Sequence, residues 1–80
     1  MAVSNWKGDT QSVIRVNVSE NPKRLGSKCR ERFDRCRNGM TVREYQAACK
    51  SAPRPNDALA DIAWDSKRGF IEILKPGTRV

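Results

Sequence analysis

The sequence predicts an α+β domain of three helices and a two-stranded antiparallel sheet, on three observations. Ile14, Val16 and Val18 alternate with Arg15 and Asn17, and Ile71 and Ile73 flank Glu72, which is the period-two pattern of half-buried strands. Between these stretches, apolar residues recur at helical spacing in three segments. Gly and Pro punctuate the joins, at Pro22, Gly26, Gly39, Pro53, Pro55, Gly69 and Pro76-Gly77. With 80 residues, 38% hydrophobic and 31% charged, the chain supports one small folded domain. Its expected limits are residues 10–75, between a flexible lead-in at 1–9 that contains Trp6 and a flexible tail at 76–80.

Each element has its own warrant. The first strand is expected over residues 13–18. After a loop, Ser27 stands where a helix N-cap is wanted, and Cys29, Phe33 and Cys36 fall at i, i+4 and i+7 of a helix over residues 28–38, closed by Gly39. Thr41 and Glu44 form a capping box, so a second helix starts there, with Val42, Tyr45, Ala48 and Cys49 inward, and Pro53 and Pro55 stop it near residue 52. The turn between these helices is expected to be little more than Gly39 and Met40. Asn56 or Asp57 caps a third helix running to about residue 67, with Leu59, Ile62, Ala63 and Ser66 inward. The second strand spans residues 70–74 and pairs with the first.

Positive charge is concentrated in the middle of the chain. Lys23, Arg24, Lys28, Arg30, Arg32, Arg35, Arg37, Arg43 and Lys50 face only Glu31, Asp34 and Glu44, which places +6 of the net +7 between residues 21 and 50. The pI lies near 9.9, and such an imbalance favours nucleic acid or an acidic protein surface as partner. On a helical wheel Lys28, Arg32 and Arg35 flank one side of the first helix's apolar stripe and Arg30 and Arg37 the other, where their methylene stems can cover core edges. Lys23 and Arg24, in the loop, have no such structural use. The expected phosphate-contacting or acidic-partner set is therefore Lys23, Arg24, Lys28, Arg30, Arg32, Arg35, Arg37 and Arg43.

The third helix carries Asp57, Asp61 and Asp65 at intervals of four, expected on its outward face. Three outward carboxylates would be repelled by a groove between phosphate strands, so this helix is not expected to read bases. They form either a solvated acidic face or, with Trp64, a protein interface toward a basic partner or a second copy. Trp64 is either a partial core member or an interface anchor. Stacking of a base on Trp64, Phe70 or Tyr45 is disfavoured because none is interleaved with the basic loop.

Several classes are excluded. Histidine is absent, there is no Gly-rich phosphate cradle, and Cys29, Cys36 and Cys49 lie on apolar stripes, so no enzyme, cofactor or metal site is expected. No apolar run approaches the roughly 18 residues that span a bilayer, and the N-terminus has no signal-peptide apolar region, so a cytoplasmic protein without membrane association is expected.

The tight turn between two helices, the Thr41 to Glu44 box, and a last helix entering a strand through Lys67-Arg68-Gly69-Phe70 resemble a winged helix-turn-helix domain over about residues 28–74. That resemblance implies three helices in a helix-turn-helix-like arrangement with a two-stranded antiparallel sheet, and DNA binding. Asn21-Pro22-Lys23-Arg24-Leu25-Gly26-Ser27, Arg32-Phe33, Gly39-Met40-Thr41-Val42 and Asp61-Ile62-Ala63-Trp64-Asp65 also resemble small bacterial and phage proteins without established activity. The expected function is a small basic nucleic-acid-binding or regulatory protein that contacts the phosphate backbone through residues 22–37. The alternative is a non-enzymatic interaction module, such as a phage accessory factor docking on a host protein.

Overall fold

A computed structural model describes residues 8–80, and the expected placements of Trp6 and of the lead-in before Gly8 lie outside the described residues. The order is β1 (Val13–Val16), α1 (Lys28–Phe33), α2 (Val42–Ala48), α3 (Ala58–Lys67) and β2 (Ile71–Leu74), with short 3₁₀ turns at Cys49–Ser51 and Pro55–Asp57. The α+β arrangement of three helices and a two-stranded antiparallel sheet is thus present. No helix among the described residues is long and apolar enough to cross a membrane.

The strands pair in the register that buries their apolar sets together. Ile14 opposes Ile73 and Val16 opposes Ile71, while Arg15 opposes Glu72 as an opposite-charge pair between them. The other edge of β1 is also occupied. Ile14 N donates to the Met40 carbonyl at 2.7 Å, Gly39 N to the Ile14 carbonyl at 2.8 Å, and Val42 N to the Ser12 carbonyl at 3.0 Å. The side-chain carbonyl of Asn38 accepts from Val16 N at 2.8 Å. β1 is therefore central, with β2 on one side and the approach to α2 on the other.

This pairing corrects two expectations. The first helix ends at Phe33 rather than residue 38, and eight residues, 34–41, separate it from α2 instead of a two-residue turn. Gly39 N and the Met40 carbonyl are bonded to Ile14 and the Asn38 side chain to Val16, so this stretch is held on β1 and does not continue the helix. Gly39 takes a left-handed φ of 91° in this connection, and a side chain there would also meet Val80. A helix-turn-helix is not established by this longer, strand-paired connection.

The caps of α1 and α2 match the sequence pattern. Ser27 Oγ accepts from Arg30 N at 3.2 Å, and Thr41 and Glu44 exchange both bonds of the capping box. α3 differs: Asp57 holds the N-cap position without a side-chain cap bond and pairs instead with Arg54 at 3.2 Å. Its buried stripe is Ala58, Asp61, Ile62, Asp65 and Ser66, at i, i+3, i+4, i+7 and i+8. Leu59 is only half-buried and Ala63 exposed, so the helix is rotated from the phase expected from apolar residues alone.

The core lies where the inner sheet face meets α2 and α3, with Phe33 of α1 closing one side: Ile14, Val42, Tyr45, Cys49, Ala52, Ala58, Ile62 and Ile71 complete it. Ile62 is fully enclosed and Leu25 is 82% exposed. Ile62→Ala should cost about 2–5 kcal/mol in urea unfolding, whereas Leu25→Ala should stay within about 0.5 kcal/mol of the parent.

Candidate functional site

The eight cations expected to contact phosphate divide into two groups. Four are engaged by other groups of the protein, two of them in buried ion pairs. The Arg32 guanidinium is buried against Asp61, with Nε donating to Oδ2 and Nη2 to Oδ1 at 3.0 Å. Its third nitrogen, Nη1, donates to the Pro53 carbonyl at 3.0 Å, and the Tyr45 hydroxyl donates to Asp61 Oδ2 at 3.2 Å. Lys23 crosses to α3 and ion-pairs with Asp65. Its ammonium lies 5.6 Å from the centre of the Phe70 ring and 6.0 Å from that of Phe33. Arg30 Nη1 donates to the Lys23 carbonyl at 2.9 Å, and Arg35 Nη1 to the Glu31 carbonyl at 2.6 Å.

The other four, Arg24, Lys28, Arg37 and Arg43, are exposed. Arg24 opens a turn in which both the amide and the hydroxyl of Ser27 donate to its carbonyl, at 3.1 and 2.6 Å. Gly26 supplies the left-handed φ of 81° that this turn needs, and Leu25 stands out at the tip. Below the turn the loop is fixed on both sides. Asn21 Nδ2 donates to the Arg30 carbonyl at 2.9 Å and to Asp34 Oδ1 at 2.7 Å, while Lys23 anchors the chain to α3.

The outward acidic face expected of the third helix is absent. Asp61 and Asp65 are buried and paired, and only Asp57 is partly exposed, beside Arg54. The physical reason is the rotation of α3: carboxylates four residues apart share a stripe, and that stripe faces α1 and the basic loop, whose cations neutralise them. Among the described residues no buried side-chain nitrogen or oxygen lacks a hydrogen-bond partner, as a polar network in a core requires. Asn21, Pro53 and Tyr45, which complete this network, were not singled out by charge.

The ionisation of these groups follows from burial and pairing. Asp61 raises the Arg32 pKa further, so that charge is permanent. Burial raises the Tyr45 phenol, keeping it a neutral donor. Burial likewise pushes the Cys36 thiol up to about 12 and raises that of Cys49, so neither offers a thiolate near neutrality. Among the described residues no group of three acidic or cysteine side chains is placed to hold a metal ion.

With Asp61 and Asp65 inside, the solvent face of α3 consists of Ala60, Ala63, Trp64 and Lys67 and continues to Arg68. Trp64 is 54% exposed, and the Arg68 guanidinium stacks on it at 4.1 Å from the ring centre. Between this face and the basic loop lies an open cleft of about 520 Å³, lined by Lys23, Cys29, Arg32, Asp57, Ala60, Asp61 and Trp64. The tryptophan and the basic loop, separated in sequence, thus border one depression. No family model, curated protein or solved structure matches the chain.

Burial raises the Asp65 carboxyl above the ordinary 3.8, with Lys23 opposing that rise. The folded state therefore holds this proton more tightly than the unfolded chain does. Its stabilising effect is complete below pH 3.8 and is lost as pH climbs through the raised value. In urea unfolding from about pH 4 upward, the parent should lose stability relative to Asp65→Asn across that window. A constant or rising difference would show that Lys23 outweighs burial.

Proposed function

We propose that this protein binds nucleic acid through its phosphate backbone, using Arg24, Lys28, Arg37 and Arg43. The observation that carries the reading is the division of the basic cluster. These four arginine and lysine side chains are exposed and make no hydrogen bond or ion pair within the described residues, while Lys23 and Arg32 are neutralised inside. Outside those two buried pairs, the 16 cations and 9 anions of the chain still leave twice as many positive as negative groups. A field of one sign attracts a polyanion. The solvent face of α3 supports the same reading, because neutral and basic residues have replaced the acidic face that would have been repelled.

A second reading, docking on an acidic protein surface, draws on the exposure of Trp64 and Leu25. It expects partners captured from lysate to survive nuclease treatment.

Four phosphate contacts imply a slope of about −3.6 in log K against log salt on duplex DNA, and about −2.8 on single strands. The double variant Arg24→Gln, Lys28→Gln should weaken binding and flatten that slope by about 1.4–1.8, with its urea midpoint unchanged. Absent binding, or affinity indifferent to salt, would overturn the proposal.

A further inference from the structure

We infer that the cleft between α1 and α3 receives an unpaired nucleotide, its base stacked on Trp64, and that the protein therefore prefers single-stranded to duplex nucleic acid. This rests on the nucleic-acid reading above and gives it a mode. Trp64 is half in solvent and borders a cleft. Ala60, one helical turn before Trp64, leaves room beside the indole. At about 520 Å³ the cleft falls within the 300–1,000 Å³ typical of small-ligand sites.

Charge selects the occupant. Both carboxylates in the lining already have cations, Asp61 with Arg32 and Asp57 with Arg54, so neither presents an uncompensated negative charge. The chain neighbours of the lining residues on the loop side, Arg24 beside Lys23 and Lys28 beside Cys29, are exposed and unpaired. On the α3 side, Arg68 stacks on Trp64 itself and Lys67 is exposed. An aromatic wall with a guanidinium stacked on it, and with exposed cations next in the chain to other lining residues, is a combination that can hold a base by stacking and its phosphates by charge. A base inside a duplex cannot reach such a wall without being unpaired.

The test uses the full chain carrying Trp6→Phe, so that fluorescence reports Trp64 alone. The probes are a DNA strand and an RNA strand of about 12 nucleotides, a duplex of the same length, and adenosine monophosphate. Both kinds of strand should quench Trp64 and bind tighter than duplex; the RNA and DNA arms identify which strand is preferred, and saturation by the mononucleotide alone would identify a free nucleotide as the occupant. Trp64→Ala should lower single-strand affinity about 5- to 150-fold. Trp64→Phe should restore most of it, with the salt slope unchanged in both. If strands and duplex bind equally and Trp64→Ala leaves affinity intact, the cleft inference is overturned while the phosphate reading stands. If no nucleic acid binds, the phosphate reading itself falls. Loss of a nuclease-resistant protein partner in Trp64→Ala, with strand affinity unaltered, would overturn the inference in favour of protein docking.

Discussion

The carboxylate of Asp61 is the point on which the three helices converge. It takes two hydrogen bonds from Arg32 of α1 and one from Tyr45 of α2, while belonging itself to α3. The same guanidinium reaches the Pro53 carbonyl, which ties in the strap that joins α2 to α3. The next residue, Arg54, is held in a left-handed conformation with φ 52°, a strain of about 1–2 kcal/mol. Moving two charges out of water is expensive, and an apolar set of equal volume would often hold the fold as well. What the ion pair supplies is specificity: it fixes the rotation of α3. With Lys23 and Asp65 one turn further along, the rotation is set twice.

That rotation decides what solvent and partners meet. It brings two aspartates inward and turns Ala60, Ala63, Trp64 and Lys67 outward. It also withdraws Lys23 and Arg32 from the surface, so a basic cluster that looks uniform in sequence becomes a buried framework and an exposed set. The framework anchors the loop of residues 21–27 to α1 and α3, and Arg24 and Lys28 stand on and beside that loop, while Arg37 and Arg43 lie on the connection to α2 and on α2 itself. A binding surface carried on a loop held this way would lose little conformational freedom beyond that of the side chains themselves.

Much of the fold was legible in the sequence where one local rule acted alone. The alternation at Ile14, Val16, Ile71 and Ile73 marked the two strands and their pairing, though the first ends at Val16 and not at residue 18, and Ser27 and Thr41 with Glu44 marked helix starts through their own hydrogen bonds. The misreadings arose where a distant partner overrode local pattern. Residues 34–38 continue the helical spacing of Cys29 and Phe33, but β1 claims Asn38, Gly39 and Met40. Asp61 and Asp65 follow the spacing of a wet face, and only their pairing with Arg32 and Lys23 makes their burial tolerable. The chemistry that pairs them was present in the sequence as an excess of cations, Arg32 lying 29 residues before Asp61 and Lys23 42 residues before Asp65. No periodicity says which of those cations would turn inward, so the candidate site was legible as a segment but not as a division into engaged and exposed residues.

A fold organised around the Asp61 carboxylate requires Arg32 and Asp61 to act as one unit. A double-mutant cycle of Arg32→Met and Asp61→Asn, followed by urea unfolding at neutral pH, measures that directly. Each single change should cost about 3–5 kcal/mol because it leaves an uncompensated buried group, and the double variant should cost well below their sum. Additive effects of under about 1 kcal/mol each, the behaviour of a solvent-exposed pair, would contradict a fold organised around this carboxylate.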